Sequence, residues 1–226
     1  MSNPLSPESV PDLDASSINP SGSQDDSAQT LTPSFWENRY QAGTARWDLG
    51  EAAPPFESLL NAADAPQPGR MLVLGMGRGH DALLFASHGF EVVGVDFAPS
   101  AVAAAAIAAQ EQGLTAKFLQ RDIFELADEF ANGFDYVLEH TCFCAIAPAQ
   151  RRAYTQLVHT LLRPGGQLIA LFWAHNRPGG PPFGCDLEEI HDLFEPGFEM
   201  RSLDRPLNSV VSRQHEEYLA RFPVKK

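Results

Sequence analysis

Three glycines and one carboxylate are the residues whose types and spacing most clearly predict chemistry in this 226-residue chain. Gly75, Gly77 and Gly79 follow an apolar run typical of a buried strand, and a second apolar run ends in Asp96. A strand, a glycine-rich turn, a helix and a second strand that ends in a carboxylate form a βαβ unit that holds a nucleoside. In such a unit the glycines let the backbone approach the ligand, and the carboxylate accepts hydrogen bonds from ribose hydroxyl groups.

The position of the third glycine separates two kinds of nucleoside cofactor. A dinucleotide-binding turn has the spacing Gly-x-Gly-x-x-Gly, but here His80 stands at the last position and Gly79 comes one residue early. The spacing therefore favours a cofactor without a pyrophosphate, such as S-adenosyl-L-methionine (AdoMet), and counts against a nicotinamide-dependent oxidoreductase. The structural alternative is a βαβ turn whose glycines serve only the backbone conformation.

Alternating strand-like and helix-like segments predict the fold that positions these residues. Strands are expected near residues 71–75, 91–96, 116–120, 134–139, 167–173, 198–203 and 216–222, and helices near 81–88, 100–112, 148–162 and 187–194. Five strands joined by crossovers predict a parallel sheet covered on both faces. The short connection between the last two strands predicts an antiparallel pair at the edge. The expected fold class is α/β: a doubly wound, seven-stranded, mostly parallel sheet with an antiparallel edge strand.

Composition divides the chain into a tail and one domain. Residues 1–31 are rich in Ser, Pro, Asp, Asn and Gln, so they cannot bury enough apolar surface to offset the entropy of ordering and are expected to be disordered. Residues 32–226 are expected to form a single domain. Within it, residues 34–56 carry aromatic side chains at helical spacing, continue to a predicted turn at Pro54-Pro55, and are expected to form a lid over the cofactor.

The carboxyl ends of the predicted strands supply the candidate binding residues, because ligands of open α/β sheets lie at that edge. Asp122 is expected to accept a hydrogen bond from an adenine amino group, or to cap the following helix, or both. The lid aromatics either attract the sulfonium or belong to the core. The full set of cofactor-binding candidates is Trp36, Tyr40, Trp47, Gly75, Met76, Gly77, Asp96, Phe97, Asp122, Ile123 and Glu139.

Candidates for catalysis are few. Glu139, His140 and His175 each lie at a strand exit and are the candidates, but each residue type is also common in structural roles, so none is assigned a catalytic role. Arg177 in the Pro-Gly-Gly loop offers local positive charge for an acceptor. Three cysteines at Cys-x-Cys and distant spacing do not match a zinc site, and no metal is expected.

Charge and sequence segments restrict the partners. The formal net charge is −13, and the chain has no basic cluster, so nucleic acid and anionic membranes are not expected partners. No leader and no long apolar run are present. We therefore expect a cytoplasmic protein, by default a monomer, that acts on a small molecule.

Several motifs together resemble the thiopurine S-methyltransferase family, and more closely its thiol and halide methyltransferase branch. They are Phe35-Trp36 through Trp47-Asp48, Val73-Leu-Gly-Met-Gly77, Val95-Asp96, Phe143-Cys-Ala-Ile146 with Pro148, and Gly179-Gly-Pro-Pro-Phe183. The resemblance spans roughly residues 34–222. It implies a Rossmann-like methyltransferase fold, AdoMet as cofactor, and a substrate-binding role for Arg213. Two departures lie near the expected cofactor site: Tyr40 stands where the branch has tryptophan, and Glu139 where plant members have tyrosine.

The expected function is methyl transfer from AdoMet, by in-line displacement, to a small thiol, bisulfide, halide or thiopurine-like acceptor. An anionic, polarisable acceptor needs positioning and desolvation more than a base. The alternatives are methylation of a hydroxyl or amine, which would need a general base, and an AdoMet-binding regulator without catalytic activity.

Overall fold

The computed structural model describes residues 31–225, which form a seven-stranded sheet in the order β3-β2-β1-β4-β5-β7-β6. Strands β1 to β5 pair in parallel, and β7 runs antiparallel to both β5 and β6. The strands are β1 (Arg70–Leu74), β2 (Glu91–Asp96), β3 (Ala116–Gln120), β4 (Phe134–His140), β5 (Leu162–Trp173), β6 (Ser202–Asp204) and β7 (Glu217–Pro223). The predicted fold class, including the antiparallel pair at the edge, is confirmed.

Seven α-helices surround the sheet within residues 31–225. They are α1 (Pro33–Gln41), α2 (Pro54–Leu60), α3 (His80–Ser87), α4 (Pro99–Glu111), α5 (Ala127–Phe130), α6 (Arg151–Leu161) and α7 (Leu187–Phe194). Local sequence explains several of their starts. The side chains of Thr32 and Asp186 cap α1 and α7 by accepting backbone N–H groups, and Pro99 occupies the first turn of α4, where no hydrogen-bond donor is needed.

Four local predictions were wrong. Strand β5 begins at Leu162, well before the predicted start near residue 167. Pro54 and Pro55 begin helix α2 instead of forming a turn, because proline also suits the first turn of a helix. The sixth strand is shorter and later than predicted, with only an isolated bridge from Phe198 to Val224 before it. Helix α6 begins at Arg151, after a short 3-10 helix over residues 148–150.

The two faces of the sheet pack against different helices. One core cluster joins the sheet to α6 and α7, through residues such as Tyr154 and Phe194. The other joins the opposite face to α2, α3 and α4, through residues such as Phe56, Phe85 and Ala105. Both faces of the central strands are therefore buried, as expected for a parallel sheet.

Two predictions concern the N-terminal tail and the absence of a membrane-spanning segment. Residues 1–30 lie outside the described part of the chain, so the expected disorder of the tail stays a prediction. Among residues 31–225, no helix is long and apolar enough to cross a membrane.

Candidate functional site

The carboxyl ends of the parallel strands open into a cavity of about 810 Å³, here called the main cavity. It extends from Asp122, after β3, to Trp173, the last residue of β5. These strands are four positions apart in the sheet, a distance of about 19 Å at normal strand spacing. The main cavity brings together eight of the predicted cofactor-binding residues: Trp36, Tyr40, Trp47, Gly75, Asp96, Phe97, Asp122 and Ile123.

The glycine turn meets the main cavity at Gly75, and the shape of the turn depends on the absence of side chains. Gly75 has φ +58°, and a Cβ atom there would lie 3.0 Å from Sγ of Cys142. Gly79 has φ +82°, and its Cβ would lie 2.8 Å from Cβ of Ala105 in α4. The turn therefore needs glycine for both its conformation and its close contacts.

Asp96 is fixed at the end of β2 by backbone groups on both sides. Its Oδ2 accepts the N–H of Gly77 at 2.8 Å, and its Oδ1 accepts the N–H of Ala98 at 2.9 Å. Burial raises the pKa of Asp96, although these N–H groups oppose the change. Each oxygen keeps a lone pair for a further donor, so the predicted contacts with two ribose hydroxyl groups would leave these backbone hydrogen bonds in place.

Aromatic side chains from the N-terminal segment cover the glycine turn. The indole N–H of Trp47 donates to the hydroxyl of Tyr40 at 3.0 Å. The ring of Trp47 packs edge-on against those of Trp36 and Tyr40, at centroid distances of 5.3 and 5.5 Å. Burial raises the pKa of Tyr40 far above its usual value. The three side chains pack together and also line the main cavity, and their attraction for a sulfonium stays a prediction.

Helix α1 is attached to α4, which keeps the aromatic cluster in place. The carboxylate of Glu37 accepts both the backbone N–H and the hydroxyl of Ser100, at 3.1 and 2.8 Å. Ala98 and Ala101, at the start of α4, complete the apolar contact with Tyr40. The small side chains let the aromatic rings approach the helix closely.

Asp122 has the capping role considered from the sequence, and its contact with an adenine stays a prediction. It accepts the backbone N–H of Phe124 at 2.9 Å and so caps a short 3-10 helix. It also lines the main cavity beside Ile123 and Phe97. These three residues form the end of the cavity nearest to β2 and β3.

A second, smaller cavity of about 50 Å³ adjoins the glycine turn, and we call it the polar pocket. It contains Met76 and Gly77, the two predicted cofactor-binding residues of the turn that do not line the main cavity. Charged side chains surround it: Asp48 contacts His80 at 3.1 Å and Arg78 at 3.0 Å. The hydrogen bond from His80, which outweighs burial, lowers the pKa of Asp48. The polar pocket is therefore lined by charged groups of both signs.

His140 also lines the polar pocket, where it is held by neighbours on both sides. Its Nδ1 lies 2.7 Å from Oδ2 of Asp81, and its Nε2 lies 3.0 Å from Nη1 of Arg213. Burial opposes the charge on the ring, but the carboxylate of Asp81 outweighs it and raises the pKa of His140 to about 9. Both ring nitrogens are engaged in contacts within the protein.

Glu139 lies behind the main cavity and does not line it. Its Oε1 accepts the N–H of Phe143 at 2.8 Å, and its Oε2 has no hydrogen-bond partner among residues 31–225. Burial raises the pKa of Glu139 to about 7. The carboxyl group therefore changes charge near neutral pH, directly beneath the turn that carries Cys142.

The other three predicted residues lie outside both cavities. His175 is buried, and its Nδ1 accepts the backbone N–H of Arg177 at 3.3 Å. The guanidinium of Arg177 forms a two-bond ion pair with Glu216, which holds the pKa of Glu216 down to about 2. Arg213 is buried with only 2% exposure.

Several lining residues were not among the predicted site residues. They are Leu31, Asn38, Arg39, Thr44, Arg46, Phe124, Thr141, Cys142, Cys144, Ala145, Ile146, Gln150, Trp173, Pro181 and Pro182. Two motifs quoted for the family resemblance, Phe143-Cys-Ala-Ile146 and Gly179-Gly-Pro-Pro-Phe183, contain five of them. Trp173 could have been found by extending the strand-end rule to the fifth strand. In the described part of the chain, no three His, Cys, Asp or Glu residues are grouped as metal ligands would be.

The arrangement fits AdoMet in three respects. The glycine turn leaves space that side chains would fill, Asp96 has free lone pairs where a ribose would lie, and the polar pocket adjoins the aromatic cluster. The pocket would take an amino-acid group, and the aromatic faces attract cations.

Comparisons with known proteins agree with this geometry. The sequence profile described as Thiopurine S-methyltransferase (TPMT) matches residues 31–222. A probable thiol methyltransferase 2 of Arabidopsis thaliana is 35% identical over 191 residues, covering 83% of each chain. Thiocyanate methyltransferase 1 of Brassica oleracea is 32% identical and covers 86% of each chain.

Solved structures show the same fold at lower identity. The chain matches the 1,6-didemethyltoxoflavin-N1-methyltransferase of Burkholderia thailandensis, solved with S-adenosylhomocysteine, with a TM-score of 0.71 and 22% identity. The match covers 87% of this chain and 88% of that one. Together with the site geometry, these matches establish that the chain belongs to the thiopurine S-methyltransferase family and is an AdoMet-dependent methyltransferase.

Proposed function

We propose that the chain transfers the methyl group of AdoMet to the sulfur atom of a small thiol or related anion. The observation that carries this proposal is the chemistry of the main cavity. Among the described residues that line it there is no histidine and no lysine, and its two carboxylates, Asp96 and Asp122, both lie at the end near β2 and β3. Such a cavity favours an acceptor that needs no strong base.

The proposed cofactor wall consists of the eight predicted residues that line the main cavity. Asp96 would hold the ribose, Asp122 and Ile123 the adenine, and the polar pocket the amino-acid group. AdoMet supplies a methyl group on a positively charged sulfur, which a nucleophile can attack in line. The role of the aromatic cluster is to exclude water there, and residues 34–56 would act as the lid.

The proposed acceptor wall lies towards β5 and consists of Cys144, Ile146, Trp173, Pro181 and Pro182. Its side chains are apolar or carry a polarisable sulfur, so they exclude water from an anion without protonating it. Thiols ionise near pH 8.5 in model compounds, so a thiolate is accessible at neutral pH without a base. An alcohol would need proton removal by a side chain that the described lining does not contain.

Electrostatics at the cavity support an anionic acceptor in a chain with a net charge of −13. Arg39 and Arg46 line the main cavity and form no salt bridge within residues 31–225. They would offset the long-range repulsion of an incoming anion. On this basis we include bisulfide, thiocyanate, halide ions and heterocyclic thiols in the acceptor class.

Two further proposals concern the working state of the protein. The free, buried thiols of Cys142, Cys144 and Cys185 support a reducing compartment such as the cytoplasm. One chain carries both walls of the main cavity, which supports activity as a monomer.

An acceptor panel tests the proposed function. Purified protein is incubated with AdoMet and, separately, with thiocyanate, bisulfide, an organic thiol, iodide, an alcohol and an amine. Volatile methyl products are read by headspace gas chromatography and S-adenosylhomocysteine by liquid chromatography. Sulfur acceptors should give product. A product from the alcohol or the amine alone would contradict the proposal, and AdoMet binding without turnover on any acceptor would favour a regulator.

A further inference from the structure

Arg213 enters the protein interior from a loop that is otherwise largely exposed. The loop joins β6 to β7, and its neighbouring apolar residues Leu207 and Val211 are 99% and 85% exposed. Arg213 ends a short 3-10 helix there and is 2% exposed. A buried guanidinium group is unfavourable unless its charge and its donors are matched, so its partners explain its position.

The guanidinium contacts groups from four separate parts of the chain. Its Nη1 lies 3.3 Å from Oε1 of Glu217, which is also 2% exposed, and 3.0 Å from Nε2 of His140. Its Nη2 donates to the backbone carbonyl of Trp47 at 2.8 Å. Its Cζ lies 4.7 Å from the ring centroid of Trp173. The ion pair with Glu217 balances the charge, and the contacts with the two tryptophans are additional.

These two tryptophans belong to different walls of the main cavity. Trp47 is part of the cofactor wall, where its ring packs against Trp36 and Tyr40. Trp173 belongs to the acceptor wall, at the end of β5, and its indole N–H donates to Glu216 at 2.8 Å. Trp47 lies 166 residues from Arg213 in sequence. A single side chain outside the cavity therefore contacts both walls.

We propose that Arg213 is a positioning residue for methyl transfer, which fixes the cofactor wall through Trp47 and the acceptor wall through Trp173. This role differs from the acceptor-binding role that the family resemblance implies, because the guanidinium does not line the main cavity. The inference rests on the proposed function, since it takes AdoMet and the acceptor to share this cavity. This role explains why the buried guanidinium of Arg213 contacts Trp47 and Trp173 in addition to its ion-pair partner Glu217.

The substitution Arg213→Lys tests the role, with Arg205→Lys as the matched control. Lysine keeps the charge near Trp173 but cannot reach the carbonyl of Trp47 and Glu217 together, since it lacks the forked donors. Arg205 makes a similar stacking contact with Tyr218, 5.1 Å from the ring centroid, and neither residue lines the main cavity or the polar pocket. AdoMet affinity is measured by calorimetry, and Michaelis constants are measured with thiocyanate and with 2-mercaptoethanol.

We expect R213K to weaken AdoMet binding and to raise the Michaelis constants of both acceptors by about tenfold, the loss typical of one charge-assisted hydrogen bond. R205K should match the wild type. If R213K raised only the Michaelis constant of the anionic thiocyanate and left AdoMet affinity unchanged, Arg213 would be an acceptor ligand and the proposal would be overturned. A lower melting temperature with unchanged constants would show a merely structural role and would also overturn it.

Hydrogen exchange on the wild type keeps the proposal testable if R213K does not fold. Adding AdoMet should protect residues 45–49 and residues 211–217 together, because Arg213 links them. Protection of residues 45–49 alone would contradict the link. If no acceptor is methylated, the proposed function fails, whereas the calorimetric and exchange measurements still decide the role of Arg213.

Discussion

Replacing Asp96 with Asn tests the nucleoside end of the main cavity with little change in side-chain volume. The carboxylate accepts two backbone N–H groups, at 2.8 and 2.9 Å, and has lone pairs left for two ribose hydroxyl groups. An amide keeps one acceptor oxygen and turns a donor towards the N–H of Gly77 or Ala98. Hydrogen bonds to a charged group contribute about 1.5–3 kcal/mol each. The substitution weakens the ribose contacts and one hydrogen bond to the glycine turn. The binding free energy of AdoMet should therefore become less favourable by about 3 kcal/mol, which lowers AdoMet affinity roughly hundredfold.

Calorimetric titration of AdoMet into D96N measures this loss directly. Asp128→Asn is the matched control, because Asp128 is an exposed carboxylate on α5 and does not line either cavity. Circular dichroism at the titration temperature establishes that each variant is folded. D128N should bind like the wild type. If folded D96N bound AdoMet within about twofold of the wild type, an effect below about 0.5 kcal/mol, the placement of the ribose at Asp96 would be refuted.

Further predictions concern a buried acid and the glycine turn. Burial raises the pKa of Glu139 from 4.5 to about 7, so the folded protein keeps this proton to higher pH than the unfolded chain does. As the pH rises between these two pKa values, the free energy of unfolding of the wild type should therefore fall by up to roughly 3 kcal/mol. The variant E139Q has no such titration, so the melting temperature of E139Q minus that of the wild type should rise between about pH 5 and about pH 8. If this difference did not change with pH, the buried position of the carboxyl group would be contradicted. Gly79→Ala should lower the melting temperature more than Gly113→Ala, because both sites have positive φ but only Gly79 has a neighbour, Cβ of Ala105 at 2.8 Å; equal losses would show that close packing at the turn contributes nothing.

The sequence predicted the sheet and its binding edge well because both depend on local patterns. Apolar runs broken by glycine, such as the one before Gly75, predict strands β1 to β4 and β7 at nearly their observed bounds, whereas β5 begins earlier and β6 begins later than predicted. Asp96 ends one strand and Asp122 follows another, and the strand-end rule places both at the same edge, where they line one cavity. Helix α2 was missed because Pro54-Pro55 suits a turn as well as a helix start.

The environments of the charged residues could not be predicted in the same way. Glu139 lies on β4, where residues 137–139 are all buried, so alternation along the strand gave no information about its direction. The position of Arg213 depends on partners distant in sequence, above all Trp47, and no local pattern reports such contacts. Its burial also depends on Glu217, whose neighbours in sequence do not distinguish it from a surface carboxylate.

A labelled-methyl experiment tests the central claim most directly. The protein is incubated with thiocyanate and AdoMet that carries an isotope label in its methyl group, and both products are quantified. We expect labelled methyl thiocyanate and S-adenosylhomocysteine in equal amounts, with the rate falling in D96N. S-adenosylhomocysteine formed without any labelled sulfur product, from thiocyanate or from any thiol in its place, would contradict the account.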